Sequence, residues 1–170
     1  MKGFGRETNQ REKINKNLKN SYFKEQIIHN AFKFHKEGNV LEAIKYYKSF
    51  INNGFEDKTV FSNFGMLLSG LGKLKEAEFY TRKALELNPN YAIAHSNLGG
   101  ILKDLGKLKE AEFYTRKALE LNPNIADANS NLGLILRDLG KLKEAELSIL
   151  KAIELNPNLA IAYYNLSTLK

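Results

Sequence analysis

The chain has 170 residues, a formal net charge of +7, 43% apolar and 26% charged residues, and no cysteine. The lack of cysteine excludes disulfides, thiolate nucleophiles and cysteine-ligated metals, and it fits a reducing, cytoplasmic setting. No apolar run approaches the length that spans a bilayer, and the first twenty residues lack a signal-peptide stretch, so a soluble intracellular protein is expected.

The charge is uneven. Residues 1–23 hold Lys2, Arg6, Arg11, Lys13, Lys16 and Lys19 against Glu7 and Glu12, which makes a basic arm. Gly3, Gly5 and the scarcity of apolar residues predict disorder from Met1 to about Gln10. Ile14 and Leu18, four apart, permit a weak helix, and Asn20–Ser21 can cap a fresh one with Glu25 in its first turn. Such an arm is a candidate for nucleic acid or an anionic membrane surface. Its aromatics are limited to Phe4, Tyr22 and Phe23, and a solvated arm is the expectation.

From Lys24 onward a 34-residue register governs the chain. Residues 71–90 read LGKLKEAEFYTRKALELNPN, and residues 105–124 repeat them letter for letter. Residues 139–158 read LGKLKEAELSILKAIELNPN, and residues 37–53 keep a looser version, EGNVLEAIKYYKSFINN. A fixed period of this size marks a repeat architecture in which each repeat buries its apolar face against its neighbours. The repeats are 24–57, which is divergent, then 58–91, 92–125 and 126–159, with a partial fifth at 160–170.

Within a repeat the local signals agree. In residues 92–105, His95, Leu98, Gly99 and Leu102 fall at repeat positions 4, 7, 8 and 11, on one side of a helix. Gly38, Gly72, Gly106 and Gly140 at position 15 supply the left-handed residue that ends it. In residues 108–121, Leu108, Ala111, Thr115, Ala118 and Leu119 share a face. That helix stops at Asn122–Pro123, because a residue before proline leaves helical geometry; Pro89 and Pro157 act likewise. Each repeat is thus two antiparallel helices of roughly 13 residues, near 20 Å long at about 1.5 Å per residue. Small residues at positions 8 (Ala31, Gly65, Gly99, Gly133, Ser167), 20 (Ala43, Ala77, Ala111, Ala145) and 27 (Ala84, Ala118, Ala152) mark where helices come closest.

Period 34, Gly or Ala at position 8, Gly at 15, Ala at 20 and 27 and Pro at 32 resemble the tetratricopeptide repeat, over residues 24–170. The resemblance implies an all-α, right-handed superhelical solenoid of antiparallel helix pairs, with first helices lining a concave groove. The family often has an aromatic at position 4, whereas this chain has Ile27, Phe61, His95, Asn129 and Tyr163. His95 and Asn129 are expected to make the middle interfaces more polar and weaker.

The groove face can also be read from periodicity, since positions 2, 5, 6, 9, 12 and 13 lie opposite the packing positions. Position 6 carries Asn63, Asn97, Asn131 and Asn165, with His29 in the first repeat. An amide offers donor and acceptor, so this ladder can hold a peptide main chain, or it can brace the neighbouring helices. Positions 12 and 13 add Lys103, Arg137, Asp104 and Asp138, as a partner-selecting rim or a solvated helix end. The wording AxxNLGxxLxxLGKLxEA is similar to the repeats ahead of the catalytic domain in O-linked N-acetylglucosamine transferases, in which a groove asparagine ladder holds extended peptide. Positions 2, 5 and 9 carry no basic residues of a carboxylate clamp.

Enzymatic chemistry finds little support. His29, His35 and His95 have no spacing for metal ligation, Gly3-Phe4-Gly5 is no phosphate loop, and Glu76, Glu78, Glu110 and Glu112 are surface acids in repeated text. Asn165-Leu166-Ser167 matches a glycosylation acceptor by chance. No enzyme, cofactor or metal is expected. The expected function is a protein-interaction scaffold that binds an extended peptide segment. One alternative is the repeat region of a larger glycosyltransferase or sulfotransferase. Another is nucleic-acid or membrane-surface binding through the arm. The strip Tyr163, Leu166 and Leu169, with no second helix of its own, is a candidate for self-association.

Overall fold

The computed structural model describes the backbone of residues 4–169 and the side chains of residues 17–169. All regular structure among them is helical. The chain divides into two compact units, residues 1–56 and 57–170.

The first unit is a helix pair, α1 (Phe4–Lys36) and α2 (Val40–Asn52). No glycine or proline interrupts the sequence between Arg6 and Lys36, and the helix runs through Asn20–Ser21 without the fresh start anticipated there. Against the disorder expected from Met1 to about Gln10, residues 4–10 are the first turns of α1; residues 1–3 and the basic side chains Lys2, Arg6, Arg11, Lys13 and Lys16 lie outside the described residues. Gly38, at a φ of 71°, turns the chain, and the Asn39 side chain accepts a bond from the Glu42 amide to cap α2. Ile27, Ala31, Ala43, Tyr47 and Phe50 form the buried seam. The Tyr47 hydroxyl lies 2.9 Å from His35 Nδ1. Burial lowers the His35 pKa and raises that of Tyr47. Lys24 donates to the Glu56 carbonyl at 3.1 Å and lies over the Phe50 and Phe55 rings.

The second unit contains α3 (Lys58–Gly70), α4 (Leu74–Leu87), α5 (Ala92–Asp104), α6 (Leu108–Leu121), α7 (Ala126–Asp138), α8 (Leu142–Leu155) and α9 (Ala160–Ser167). It is an array of antiparallel pairs: α3 packs on α4, α5 on α6 and α7 on α8, and each first helix also touches the next first helix. The Asn-Pro-Asn loops close themselves. The Asn88, Asn122 and Asn156 side chains accept from the amides of Asn90, Asn124 and Asn158 at 3.0, 3.0 and 3.1 Å. This side-chain turn satisfies the backbone as the helix ends before proline.

Packing follows the small residues. Ala77, Ala84, Ala111, Ala118, Ala145 and Ala152 are fully buried. A Cβ on Gly65, Gly99 or Gly133 would collide with Thr81, Thr115 or Ile149, so these first helices lie close on their second helices and a methyl group there makes a side chain move. His95 and Asn129 are buried rather than solvated. His95 Nε2 sits 2.8 Å from the Pro89 carbonyl, which fixes the proton on Nε2, and the ring stacks on Tyr114 at 5.7 Å. Asn129 donates to the carbonyls of Pro123 at 3.3 Å and Ile125 at 3.1 Å. Each pins its own loop to its own helix; the Asn129 amide is satisfied locally, whereas His95 Nδ1 is buried without a hydrogen-bond partner among the described residues. In α9, Tyr163 is half exposed with Ile161 and Tyr164, whereas Leu166 and, just beyond the helix, Leu169 pack against Ile149, Ala152 and Ala162.

Candidate functional site

Face-to-face packing of α3, α5 and α7 leaves one side of each first helix free of second helices. Along that side of the second unit lies a cavity of about 420 Å³. Helix α3 contributes Met66, Ser69 and Gly70; α5 contributes Ser96, Asn97, Gly100, Ile101, Lys103 and Asp104; α7 contributes Asp127, Ser130 and Asn131; Ile161 closes one end from α9. All but Ile101 stand at repeat positions 2, 5, 6, 9, 12 or 13. The wall is mixed, with exposed Met66 and Ile161 and polar groups between them.

The four asparagines of position 6 differ in their surroundings. Asn97 Nδ2 donates to Ser62 Oγ of the preceding repeat at 3.0 Å, and Asn165 Nδ2 donates to Ser130 Oγ at 3.0 Å. Asn165 is 1% exposed, so its amide lies inside the array. Asn97 and Asn131 line the cavity, and Asn63 sits half-buried on α3 outside its lining. The Asn131 amide nitrogen lies over Gly100, 3.5 Å from where a Cβ on that glycine would stand.

The rim charges pair with their own neighbours. Lys103 Nζ lies 2.7 Å from Asp104 Oδ1, so the lysine reaches the cavity already neutralised. Arg137 lies 2.9 Å from Asp138, and its Nη1 donates to Thr168 Oγ1 at 3.1 Å. Neither Arg137 nor Asp138 is among the cavity-lining residues. Asp127 lines the cavity and has no ion pair among the described residues. Met66, Ser69, Gly70, Gly100 and Ile161 were not singled out from sequence as site residues. Their signal was the same helical face, which holds no conspicuous chemistry at those positions.

The second helices carry a separate charged ladder. Arg82 contacts Glu78 at 2.8 Å on its own helix, then reaches forward to Glu110 at 3.2 Å and the Tyr114 hydroxyl at 3.0 Å. Lys107 reaches back to Glu78 at 2.9 Å. One repeat later, Arg116 contacts Glu112 and Glu144, and Lys141 contacts Glu112 at 2.8 Å. Burial pushes the Glu78 carboxyl up, but Lys107 and Arg82 outweigh it and hold the pKa below its ordinary 4.5. The Lys141 hydrogen bond, aided by Arg116, does the same to Glu112 against burial. Among the described residues no group of three or more His, Asp or Glu stands close enough to hold a metal ion. No described helix is long and apolar enough to cross a membrane.

Residues 92–125 match one model, and residues 59–91 and 126–159 another, both described as the tetratricopeptide repeat. No curated protein matches the sequence. Among solved structures the chain is similar to YrrB, described as a TPR protein with an unusual peptide-binding site. The TM-score is 0.69 at 26% identity, over 81% of this chain and 71% of that one. It is also similar to the first TPR of Spaghetti (RPAP3), solved with the HSP90 peptide SRMEEVD: TM-score 0.62, 27% identity, 66% of this chain and 89% of that one. MamA from Desulfovibrio magneticus RS-1 shares the fold, with a TM-score of 0.72 at 23% identity over 86% of this chain and 82% of that one.

Proposed function

We propose, from the premise that the chain belongs to the tetratricopeptide repeat family, that it is a protein-interaction scaffold. Its second unit receives an extended segment of a partner protein along the first-helix face. The observation that carries this reading is the cavity of about 420 Å³ that runs across three successive first helices, from the C-terminal turns of α3 over α5 to the N-terminal turns of α7. A cavity that crosses three helices suits an elongated ligand, and an extended main chain is one whose carbonyls and amides can meet the amides along its wall. The peptide-bound state of the Spaghetti repeats and the peptide-binding site of YrrB support the same class of partner.

Within the cavity the proposed contacts are the Asn131 amide, whose nitrogen is not engaged by a serine, and the Asn97 oxygen, whose nitrogen is. Asn63, Asn165, Arg137 and Asp138 remain in the proposal as the continuation of the groove and its rim. Lys103, the basic residue among the described lining residues, is paired with Asp104, so it is not free to meet a terminal carboxylate. Cytoplasmic placement, a purely non-catalytic role and the likeness to O-linked N-acetylglucosamine transferase repeats belong to the same proposal. The last rests on the wording of the repeats.

The test uses dodecapeptides selected by phage display on the wild-type chain and then synthesised with a fluorescent label. One main-chain hydrogen bond is worth about 0.5–1.5 kcal/mol, so Asn131→Ala is expected to weaken binding roughly 2- to 10-fold. The melting temperature should stay the same, and 50 and 300 mM salt should give similar losses. Selected peptides that bind Asn131→Ala and Asn97→Ala as tightly as wild type would refute the groove reading.

A further inference from the structure

The second unit contains two adjacent glycines on α5 with opposite surroundings. Gly99 faces α6, where a Cβ would strike Thr115 and lie 3.3 Å from the Ala111 carbonyl, so close packing accounts for it. Gly100 faces the cavity. Its Cβ would meet only Asn131 Nδ2, at an ordinary contact distance of 3.5 Å, and its backbone has the usual helical hand. Neither packing nor conformation requires a glycine there. The same position in the flanking repeats holds Met66 and Leu134, so a large side chain is compatible with this place on a first helix. A glycine in a helix interior destabilises the helix relative to alanine. Gly100 therefore has a local cost that the fold does not explain, at a point on the cavity floor.

We infer that Gly100 is a ligand-contact position, over which the main chain of a bound extended segment passes closely enough to exclude a side chain. This rests on the reading of the cavity as a peptide groove. Glycine is the residue that admits close approach of another backbone. The geometry supplies a polar partner at the same point, because the Asn131 amide nitrogen overhangs Gly100 and can donate to a peptide carbonyl seated above it. Met66 and Ile161, both about half exposed, stand as apolar walls for the side chains that project to either hand of that crossing. The occupant is thus an extended segment recognised at this crossing through its main chain, with apolar side chains beside it. Met66 and Leu134 in the flanking repeats make Gly100 the crossing of closest approach in the described groove.

The experiment measures affinity by fluorescence polarisation and melting temperature by circular dichroism. It compares wild type, Gly100→Ala, Gly100→Met and Asn131→Ala, with the labelled dodecapeptides selected on the wild-type chain as probe. The expected result is at least 3-fold weaker binding for Gly100→Ala and at least 10-fold for Gly100→Met, with both variants melting at or above the wild-type temperature. Peptides that bind Gly100→Met as tightly as wild type but lose affinity to Asn131→Ala would overturn this inference and leave the peptide groove standing. Peptides indifferent to both positions, or a selection that yields no binder, would overturn the groove reading and this inference together. A lower melting temperature in Gly100→Ala would assign the glycine to the fold and overturn the inference alone.

Discussion

Helices α4 and α6 share fourteen identical residues, LKEAEFYTRKALEL, whereas α8 reads LKEAELSILKAIEL. What is kept and what changes separate two kinds of interaction. The alanines at the packing positions are common to all three, and Ala77, Ala111 and Ala145 are equally buried. The changes are Phe to Leu147, Tyr to Ser148, Thr to Ile149, Arg to Leu150 and Leu to Ile153. Arg82 and Arg116 both reach forward to an acid on the following second helix, and α8 has Leu150, 46% exposed, in their place. The hydroxyl bond from Arg82 to Tyr114 has no counterpart one step later, because Ser148 stands where a tyrosine would be. The alanine contacts inside a repeat are the invariant part, whereas the side chain against the first-helix glycine and the ion ladder between repeats both vary.

Three measurements break or sharpen this comparison, starting with the largest expected effect. Ala111→Leu and Ala145→Leu put a side chain where no space exists, and each is expected to cost about 1–3 kcal/mol. Similar losses from chemical denaturation would show that the two pairs share one packing mode, and wild-type stability in either would refute it. Next come the helix-contact glycines. A Cβ on Gly99 meets a threonine hydroxyl that can rotate away, although it loses the 2.8 Å bond from Thr115 Oγ1 to the Ala111 carbonyl. A Cβ on Gly133 meets branched Ile149 and lies 3.1 Å from the Ala145 carbonyl. Gly133→Ala is therefore expected to be costlier, at about 1–2 kcal/mol, with Gly99→Ala below about 1 kcal/mol. The reverse order would show that the threonine is the more rigid neighbour.

The smallest effect is on the ladder. Arg82→Leu copies the residue found in α8. Its ion pairs are part-exposed, so the loss should be about 0.2–1 kcal/mol and should shrink in high salt. The same variant has a pH signature. Glu78 and Glu112 titrate lower in the folded chain than in the unfolded one, so the unfolded chain binds more protons in that window. The stabilisation is complete above the ordinary value of 4.5 and is lost as pH falls through the folded-state values. Wild type should therefore lose more stability than Arg82→Leu between pH 5 and 3. Parallel curves would show that Arg82 does not hold the carboxyl.

Much of this architecture was legible because punctuation recurs. Gly72, Gly106 and Gly140 and the Asn-Pro steps sit where the helices turn, and the small residues at positions 8 and 20 mark the contacts. Local pattern said less about α1, since a capping pair such as Asn20–Ser21 is equally at home inside an uninterrupted helix. The ladder was invisible for another reason. Its bonds join residues 28 and 32 apart, Arg82 with Glu110 and Tyr114, and no single-helix spacing reveals such a pair. The groove face followed from periodicity, but the division of labour among Asn97, Asn131 and Asn165 depends on which amide finds a serine across the repeat boundary. That choice is settled by side-chain positions, over a few ångströms, that the letters do not encode.

The junctions between repeats have a consequence for how such a chain changes length. Lys107 meets Glu78 as Lys141 meets Glu112, and the Arg82 grip on Glu110 recurs from Arg116 to Glu144. A duplicate of residues 92–125 spliced in after Asn124–Ile125 would meet the same second-helix side chains on both flanks, because α4 and α6 are identical, and only its first helix would face a changed neighbour, α5 in place of α3. Loss or gain of a whole repeat is thus a smaller perturbation to this molecule than insertion of a single residue into one of its helices, and variation in repeat number is the form of divergence the fold tolerates best.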